Sequence, residues 1–487
     1  MHMSVKEDLG RMAGAENVSD DPMTLEEYSR DFSFAPPHMP ACVVKPRDAG
    51  EVQGIVKLAN ELKLPLIPVS SGAPHLRGDT VPAMGGVVVD LSLLDRIIKV
   101  DRPDRVAMIE PGVRYARLQE ELREHGLRLP MPLSPRSSKS VVGSCLEREP
   151  HIIPKYHLDV SEPLLCTEVV FGSGDLFHTG EAAGPGSIEE QWEVGRRQKS
   201  PMGFQTDIYR VLQGSQGTMG IVTWATLRCE VLPAVEKPFL VPSQRIDNLL
   251  DLAYRLVRLR LGDELFILDN HALASLVGDT PQEIERLSDD LPRWMLFFNL
   301  AGYEIFPQER VDYQEKDISD IAKVLGLAIN PEAVSGLGAQ RLLDITRKPC
   351  EDPYWKLRYR GGCQELFFIS SLADIPGHIG TFRECAARAR FTAPAGTYVQ
   401  PINQGHGYHV EFQLPYDPAS RGEKERAREV YLSAADALMN RGAFFSRPYD
   451  LLAEKMLNRD GQSMAALKKV KGIFDPNHVM NPGKLCF

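Results

Sequence analysis

The stretch Val69-Ser-Ser-Gly-Ala-Pro-His-Leu-Arg-Gly78 lies between two short apolar segments, residues 64–69 and 86–91. These segments predict two buried strands, with the stretch forming the loop between them. The small side chains of this loop allow its backbone N–H groups to approach a phosphate closely, and Gly72 permits unusual dihedral angles. Taken alone, the stretch is compatible with a phosphate-binding loop and with a plain surface turn.

Length and composition restrict the class of protein. The chain has 487 residues, which is too long for a single core, so we expect two or three domains. Its net charge of −10 argues against binding nucleic acid or an anionic membrane surface. No apolar run is long enough to cross a membrane, and the N-terminus lacks the apolar segment of a signal peptide. We therefore predict a cytoplasmic protein without a membrane span.

The cysteines indicate neither a metal site nor a redox motif. The chain has eight of them, and no two form a C-x-x-C pair, which argues against an iron–sulfur cluster or a structural zinc site. We expect most of the cysteines to be free thiols in the protein interior.

The order of predicted elements indicates an α+β protein. Asp48 and Glu51 form a helix start signal, and apolar residues at helical spacing continue to Leu62, directly before the first predicted strand. Strands and short helices follow up to Leu232-Pro233, where longer helices mixed with strands begin. This change predicts a domain boundary.

Six segments occur in the order that is typical of a known flavoprotein family. They are Lys45–Val52, the 69–78 loop, Gly85–Leu91, Glu110–Val113, Gly214–Thr223 and Asp475–Lys484. With these motifs, the chain resembles the vanillyl-alcohol oxidase / p-cresol methylhydroxylase family of FAD-binding flavoproteins. The resemblance covers most of the chain, and it is more specific for the first half than for residues 240–440.

The resemblance implies a two-subdomain FAD-binding domain and an α+β cap domain that covers the flavin and shapes the substrate pocket. The implied parts are an N-terminal arm (1–43), the FAD-binding domain (44–232), the cap domain (233–439) and a C-terminal segment that returns to the FAD domain (440–487). Some relatives attach flavin covalently in the cap domain, where this chain reads Gly361-Gly-Cys-Gln-Glu365 without histidine or tyrosine. We therefore expect non-covalent FAD, although Cys363 is a conceivable attachment point.

The resemblance also implies which residues hold FAD. The 69–75 loop would bind the pyrophosphate, and the 137–148 and 217–223 segments would line the rest of the cofactor. The candidate cofactor-binding residues are Ser70, Ser71, Gly72, Ala73, Pro74, His75, Ser140, Val142, Gly143, Ser144, Glu147, Gly217, Gly220, Ile221, Val222 and Lys484.

One branch of this family oxidises 2-hydroxy acids and typically holds them with a metal. Its ligands lie in an H-x-G-D-G-N-x-H run and a later G-E-H-G. Here the first run reads Asn403-Gln-Gly-His-Gly-Tyr-His409 and the second is missing, so we predict no metal. His409 is a candidate substrate residue, and its alternative role is packing within a strand.

The other branch oxidises 4-substituted phenols and has a G-N-A-x-D-R-G motif whose acidic residue lies near flavin N5. Gly143-Ser-Cys-Leu-Glu-Arg-Glu149 resembles this motif, with Glu147 at the acidic position, and residues 202–204 also resemble this branch. A Tyr-Arg pair holds the phenolate in that branch. Here the pair reads Ser446-Arg447, so the arginine is retained and the tyrosine is lost.

Both branches transfer a hydride to flavin N5, and a cation beside the reduced ring favours that step. We assign this role to Arg447, with Lys484 as the second candidate, and we assign proton transfer or charge stabilisation to Glu147. Each of these two roles has a structural alternative. Glu147 would form an ordinary ion pair with Arg148 or another surface cation, and Arg447 would form one within a core or an interface. Tyr354 is a candidate substrate residue because it lies in a cluster of aromatic and basic residues.

We therefore predict an FAD-dependent oxidoreductase that acts on an alcohol or a 4-hydroxybenzylic substrate. A 2-hydroxy-acid dehydrogenase of the D-lactate or glycolate type is the first alternative. A flavin-binding subunit that has lost catalysis and serves an electron-transfer complex is the second. The expected partners are a small-molecule substrate, an electron-acceptor protein as one alternative to oxygen, and a second copy of the chain in a homodimer.

Overall fold

The computed structural model describes residues 5–159, 161–203 and 206–487, so Phe204 of the 202–204 segment lies outside the described residues. Its helices are α1 Val5–Ala13, α2 Pro22–Ser29, α3 Ala49–Leu62, α4 Tyr115–Glu124, α5 Val141–Leu146, α6 Ile188–Glu193, α7 Tyr209–Leu212, α8 Ile246–Arg258, α9 Asn270–Val277, α10 Pro281–Asp290, α11 Pro307–Val324, α12 Ala339–Thr346, α13 Ile375–Arg388, α14 Arg421–Met439, α15 Asp450–Leu457 and α16 Gly461–Phe474. Its strands are β1 Val18–Ser19, β2 Cys42–Val44, β3 Leu66–Val69, β4 Val87–Asp90, β5 Ile97–Asp101, β6 Val106–Ile109, β7 Leu127–Arg128, β8 Leu164–Phe171, β9 Leu176–His178, β10 Gly220–Arg228, β11 Glu230–Val231, β12 Val235–Ser243, β13 Leu265–Asp269, β14 Trp294–Gly302, β15 Ala333–Val334, β16 Leu337–Gly338, β17 Gly362–Ser370, β18 Gly396–Ile402 and β19 Gly407–Tyr416.

The first sheet has the strand order β1-β2-β4-β3, and β2, β4 and β3 run parallel. Helix α3 connects β2 to β3, and it begins where the Asp48 carboxylate accepts a hydrogen bond from the N–H of Glu51. The chain leaves β3 at Val69, so the 69–78 loop lies at the carboxyl end of a parallel strand. Ligands commonly bind at that end of parallel strands.

The second sheet is antiparallel and has the order β5-β6-β10-β8-β9. Leu118 and Leu122 of α4 and Val141 and Val142 of α5 are buried in the core that packs against it. The amino end of α5 is therefore held in place by packing. This end carries the second predicted cofactor segment.

The third sheet is fully antiparallel, with the order β12-β14-β13-β18-β19-β17. Helices α8, α11, α13 and α14 contribute to the core on one of its faces. The opposite face packs against Leu76, Leu133 and Ile152, which belong to the first half of the chain. That second face is where the cap sheet meets the first half of the protein.

The C-terminal segment lies against the first sheet. The Leu66 N–H donates to the Val479 carbonyl at 2.7 Å, and the Asn481 N–H donates to the Leu66 carbonyl at 2.8 Å. The Asn481 side chain donates to the carbonyls of Asp79 at 3.0 Å and Gln216 at 2.7 Å. The tail thus joins two loops that a cofactor would contact.

The predicted α+β fold is confirmed. The two sheets described above and the two-stranded pair β7–β11 lie before residue 232, and the six-stranded cap sheet and the pair β15–β16 lie after it. The four-part division at residues 43, 232 and 439 stays a prediction. All eight cysteines are free and seven are buried, as expected. Within the described ranges, no helix is both long and apolar enough to span a bilayer.

Candidate active site

The 70–75 loop presents unpaired backbone donors. The N–H groups of Ser71, Ala73 and His75 have no acceptor among the described residues, whereas the N–H of Gly72 is bonded to a carbonyl at 2.9 Å. Several free N–H groups in one loop suit a phosphate. The loop therefore fits the FAD pyrophosphate.

A cleft begins at this loop. Eight of the predicted cofactor residues line it, and they combine glycines with apolar side chains that suit an aromatic ring system. They are Ser70, Val142, Gly143, Glu147, Gly217, Gly220, Ile221 and Val222. Asp79 and Tyr449, which the sequence did not single out, also line this cofactor cleft.

The other predicted cofactor residues lie around the cofactor cleft. Ser140 caps α5, because its hydroxyl accepts a hydrogen bond from the Gly143 N–H at 2.9 Å. The Ser144 hydroxyl donates to Glu149 at 2.6 Å. Burial lowers the pKa of Lys484, although nearby carboxylates oppose this. The direct contact of these residues, and of Ser71, Gly72, Ala73, Pro74 and His75, with FAD stays a prediction.

We expect Gly217→Ala to weaken FAD binding by about 10-fold, the scale of overpacking a close contact. Gly217 has φ +70°, and a Cβ there would lie 2.4 Å from Pro68 Cγ, so Pro68 would be displaced in the cleft wall. The flavin-to-protein absorbance ratio after dialysis measures the effect. Gly326→Ala is the matched control, because Gly326 has φ +68° with nothing near its Cβ position. Equal FAD loss in both variants would contradict the prediction.

A second cavity lies beneath the cap sheet. Along β19, Tyr408, Val410 and Phe412 are buried in the core under the cap helices, because side chains of a strand alternate between its faces. His409 and Glu411 point to the opposite face and line this cavity. We call it the substrate pocket.

Arg77 is the centre of an ion-pair network in the substrate pocket. It pairs with Glu147, with Glu149 at 2.7 Å and with Glu365 at 3.4 Å. Lys139 pairs with Glu147 at 2.6 Å and with Glu149 at 3.6 Å. Burial alone would lower the pKa of Arg77, but Glu149 and Glu147 raise it overall, so Arg77 is charged.

A buried lysine joins the carboxylates of two cap strands. Lys356 Nζ lies 2.5 Å from both Glu365 on β17 and Glu411 on β19. His409 Nε2 lies 3.6 Å from Glu411, a close contact that is longer than a hydrogen bond. Burial lowers the pKa of His409 despite the neighbouring carboxylate, so this imidazole is neutral at neutral pH.

Two arginines in the substrate pocket have no carboxylate partner among the described residues. Arg447 is 7% exposed, donates to the Glu147 carbonyl at 3.2 Å and stacks 4.4 Å from the centre of the Phe367 ring. Burial, with Arg77 nearby, lowers the pKa of Arg447. The guanidinium of Arg136 makes no hydrogen bond within the described ranges, and its Nε is buried.

The cations of the substrate pocket are unequally paired. Five cationic side chains line it, and four carboxylates line it or form ion pairs with three of these cations, which leaves Arg136 and Arg447 without an ion-pair partner among the described residues. The cations are Arg77, Arg136, Lys139, Lys356 and Arg447, and the carboxylates are Glu147, Glu149, Glu365 and Glu411.

The two predicted catalytic residues lie where the cavities meet. Glu147 lines the cofactor cleft, Arg447 lines the substrate pocket, and the hydrogen bond between them spans the boundary. Glu147 forms no ion pair with Arg148, which donates instead to the Ser446 carbonyl at 2.6 Å. Glu147 pairs with Arg77 and Lys139, so an ion-pair role stays the alternative to a catalytic one. Tyr354 and His409 both line the substrate pocket. Their roles as substrate residues stay predictions.

Sequence reasoning missed much of the charged network. The missed residues are Arg77, Arg136, Lys139, Glu149, Lys356, Glu365 and Glu411. A signal was present in β19, where polar residues alternate with apolar ones in Tyr408-His-Val-Glu-Phe-Gln413. In a strand whose other face is a core, such alternation predicts a polar second face.

We expect Glu147→Gln to slow flavin reduction by about 10-fold or more while FAD remains bound. The change removes the charge between Arg77 and Lys139 but keeps the shape of the side chain. Stopped-flow absorbance under anaerobic conditions gives the rate, and Glu124→Gln on the exposed end of α4 is the control. Unchanged kinetics would remove Glu147 from the reaction.

Residues 40–180 match the family described as FAD binding domain. Over 96% of this chain and 78% of the relative, the chain is 24% identical to the mitochondrial D-lactate dehydrogenase [cytochrome] of Arabidopsis thaliana. It is 28% identical to the glycolate oxidase subunit GlcD of Bacillus subtilis, over 99% of this chain and 96% of the relative. In the solved structure of p-cresol methylhydroxylase with bound substrate, the fold is similar with a TM-score of 0.84 and 21% identity, over 98% of this chain and 95% of that one.

These findings agree with the cofactor cleft that the geometry shows. The described residues contain no group of three or more His, Cys, Asp or Glu side chains that is arranged to hold a metal, and His406 is exposed. Residues 40–180 form an FAD-binding domain, and the chain is an FAD-dependent oxidoreductase.

Proposed function

We propose that the protein oxidises a 2-hydroxy acid. The observation that carries this proposal is that two arginines of the substrate pocket, Arg136 and Arg447, have no ion-pair partner among the described residues. A buried cation without a partner is costly, and an anion that binds beside it offsets this cost. A carboxylate is ionised at neutral pH, whereas a phenol with a pKa of about 10 arrives neutral.

The residues of the substrate pocket supply the functions that this reaction needs. Arg136, whose guanidinium makes no hydrogen bond within the described ranges, binds the substrate carboxylate as a bidentate partner. Neutral His409, with Nε2 directed at Glu411, accepts the hydroxyl proton at Nδ1. FAD, when bound in the adjoining cleft, supplies the two-electron acceptor. Arg447 holds positive charge at the boundary where negative charge develops.

We prefer a 2-hydroxy acid, the first alternative, to a 4-hydroxybenzylic substrate. The names of the D-lactate dehydrogenase and glycolate oxidase relatives support it. So does the loss of the tyrosine at Ser446, which removes a phenolate anchor. Arginine in the pocket takes the place of the metal that the hydroxy-acid branch typically uses.

A 4-alkylphenol is the second candidate substrate. The Tyr354 hydroxyl lines the substrate pocket and has no hydrogen-bond partner among the described residues, so it is free to bind a phenol. The similarity of fold to p-cresol methylhydroxylase motivates this candidate.

We also propose that the protein passes electrons to an acceptor protein, forms a homodimer and is located in the cytoplasm.

A substrate panel separates the two candidates. The purified holoenzyme is mixed anaerobically with D- and L-lactate, glycolate, D-2-hydroxyglutarate, 4-ethylphenol and p-cresol, and flavin bleaching is recorded. We expect bleaching by at least one hydroxy acid of a single configuration. Bleaching by the phenols alone would overturn the proposal in favour of the second candidate. A flavin that no compound bleaches, but that dithionite reduces, would favour the subunit that has lost catalysis.

We expect Arg136→Gln to raise the KM for a hydroxy acid by about 10-fold or more, the scale of losing one charged hydrogen bond, with a smaller change in kcat. Arg136 would act in binding rather than in the chemical step. Steady-state kinetics of the variant measure the split. Arg245→Gln is the control, because the Arg245 side chain is 78% exposed on the cap surface. A lower kcat at unchanged KM would contradict the assignment.

A further inference from the structure

The substrate pocket has an apolar wall that the charged network does not use. Six buried or half-buried residues form it, and five of them belong to one hydrophobic cluster between the cap sheet and the first half of the chain. We call them the aromatic wall: Leu76, Pro132, Leu133, Tyr354, Trp355 and Tyr398.

The polar atoms of two of the three rings in this wall are already hydrogen-bonded to the protein. Trp355 Nε1 already donates to the Ser134 carbonyl at 3.1 Å, and the Tyr398 hydroxyl donates to Gln400 at 3.0 Å. Tyr354 and Trp355 contact each other edge to face, with ring centroids 5.9 Å apart. Such a surface binds an apolar ring better than it binds water.

Two residues of the wall and the carboxylate site belong to one stretch of chain. Pro132 and Leu133 lie in the wall, and Arg136 follows three residues later in the same pocket lining. One compact molecule can therefore contact both. The methyl group of lactate and the hydrogen of glycolate are too small to cover the wall, and water would remain against it.

We propose that the preferred substrate is a 2-hydroxy acid with an aromatic or similarly large apolar side chain, such as 3-phenyllactate or mandelate. This inference rests on the proposed function and specifies its substrate class. The carboxylate pairs with Arg136, and the ring packs on the aromatic wall beside Leu133 and Tyr354. The free Tyr354 hydroxyl also accommodates a ring that carries a polar group.

The first test uses the wild-type holoenzyme. We expect kcat/KM for flavin reduction by 3-phenyllactate or mandelate to exceed that by lactate by about 10-fold or more, from the apolar area that the ring buries. Phenylacetate and acetate are inert carboxylates, and titrating them against the flavin spectrum should show phenylacetate binding about 10-fold more tightly. The inference is overturned if lactate or glycolate is preferred over both aryl acids and if phenylacetate and acetate bind equally. The proposed function would still stand in that case.

The second test changes the wall. Leu133→Trp fills the space beside Tyr354, so the ratio of kcat/KM for 3-phenyllactate to that for lactate should fall about 10-fold. Leu133→Ala carries a smaller risk of misfolding. It should also lower this ratio, because apolar contact with the ring is lost. A ratio unchanged in both folded variants overturns the inference. Bleaching of the wild type by phenols and by no hydroxy acid instead overturns the proposed function itself.

Discussion

Replacing Arg447 by alanine is expected to slow flavin reduction by the substrate roughly 100-fold or more, the scale of losing one preorganised charge at a reacting centre. Arg447 is buried, lies at the boundary of the cofactor cleft and the substrate pocket, and has no carboxylate partner among the described residues. Its charge is therefore available to a substrate or to the reduced cofactor. Anaerobic stopped-flow absorbance measures the rate.

Two further variants separate charge from packing. Arg447→Lys keeps the charge but loses the stacking on Phe367, so we expect an intermediate rate. Arg441→Ala lies in the same segment on the exposed surface and should be unaffected. If Arg447→Ala lost FAD or thermal stability but kept its rate per bound flavin, Arg447 would be a packing residue.

We expect His409→Asn to lower kcat/KM for the hydroxy acid by roughly 100-fold to 10,000-fold, the range found when a general base is removed. Asparagine keeps the approximate size of the side chain but cannot accept the proton. His406→Asn is the matched control, because His406 lies three residues earlier in the chain and is exposed. A near-normal rate for His409→Asn would assign the base elsewhere, with Glu411 as the next residue to test.

The pH profile of the wild type tests the same assignment. Burial lowers the pKa of His409, so its neutral form persists below the ordinary histidine pKa of about 6.5. The rate should therefore hold its plateau as the pH falls through 6.5 and decline only at lower pH. A decline centred at or above the ordinary value would contradict a buried neutral base.

Local patterns predicted the framework of the cofactor site well. The strand at 66–69, the loop after it and the helix capped by Asp48 all lie within one stretch of chain, and hydrophobic periodicity and capping signals act over such distances. The glycine-rich segment before β10 was found for the same reason, and eight predicted residues line the cofactor cleft. The cofactor was thus accessible from the sequence.

The substrate pocket was not accessible from the sequence. The sequence by itself determined the α+β architecture, the FAD loop and two candidate catalytic residues, because each depends on a short motif. Only the tertiary structure decided which charges meet, since Arg77 and Glu365 are separated by 288 positions in the chain. Coulomb interactions depend on distance in space, so the charges around Arg136 and Arg447, on which the proposed acid substrate rests, come together only when the cap sheet closes over the first half of the chain.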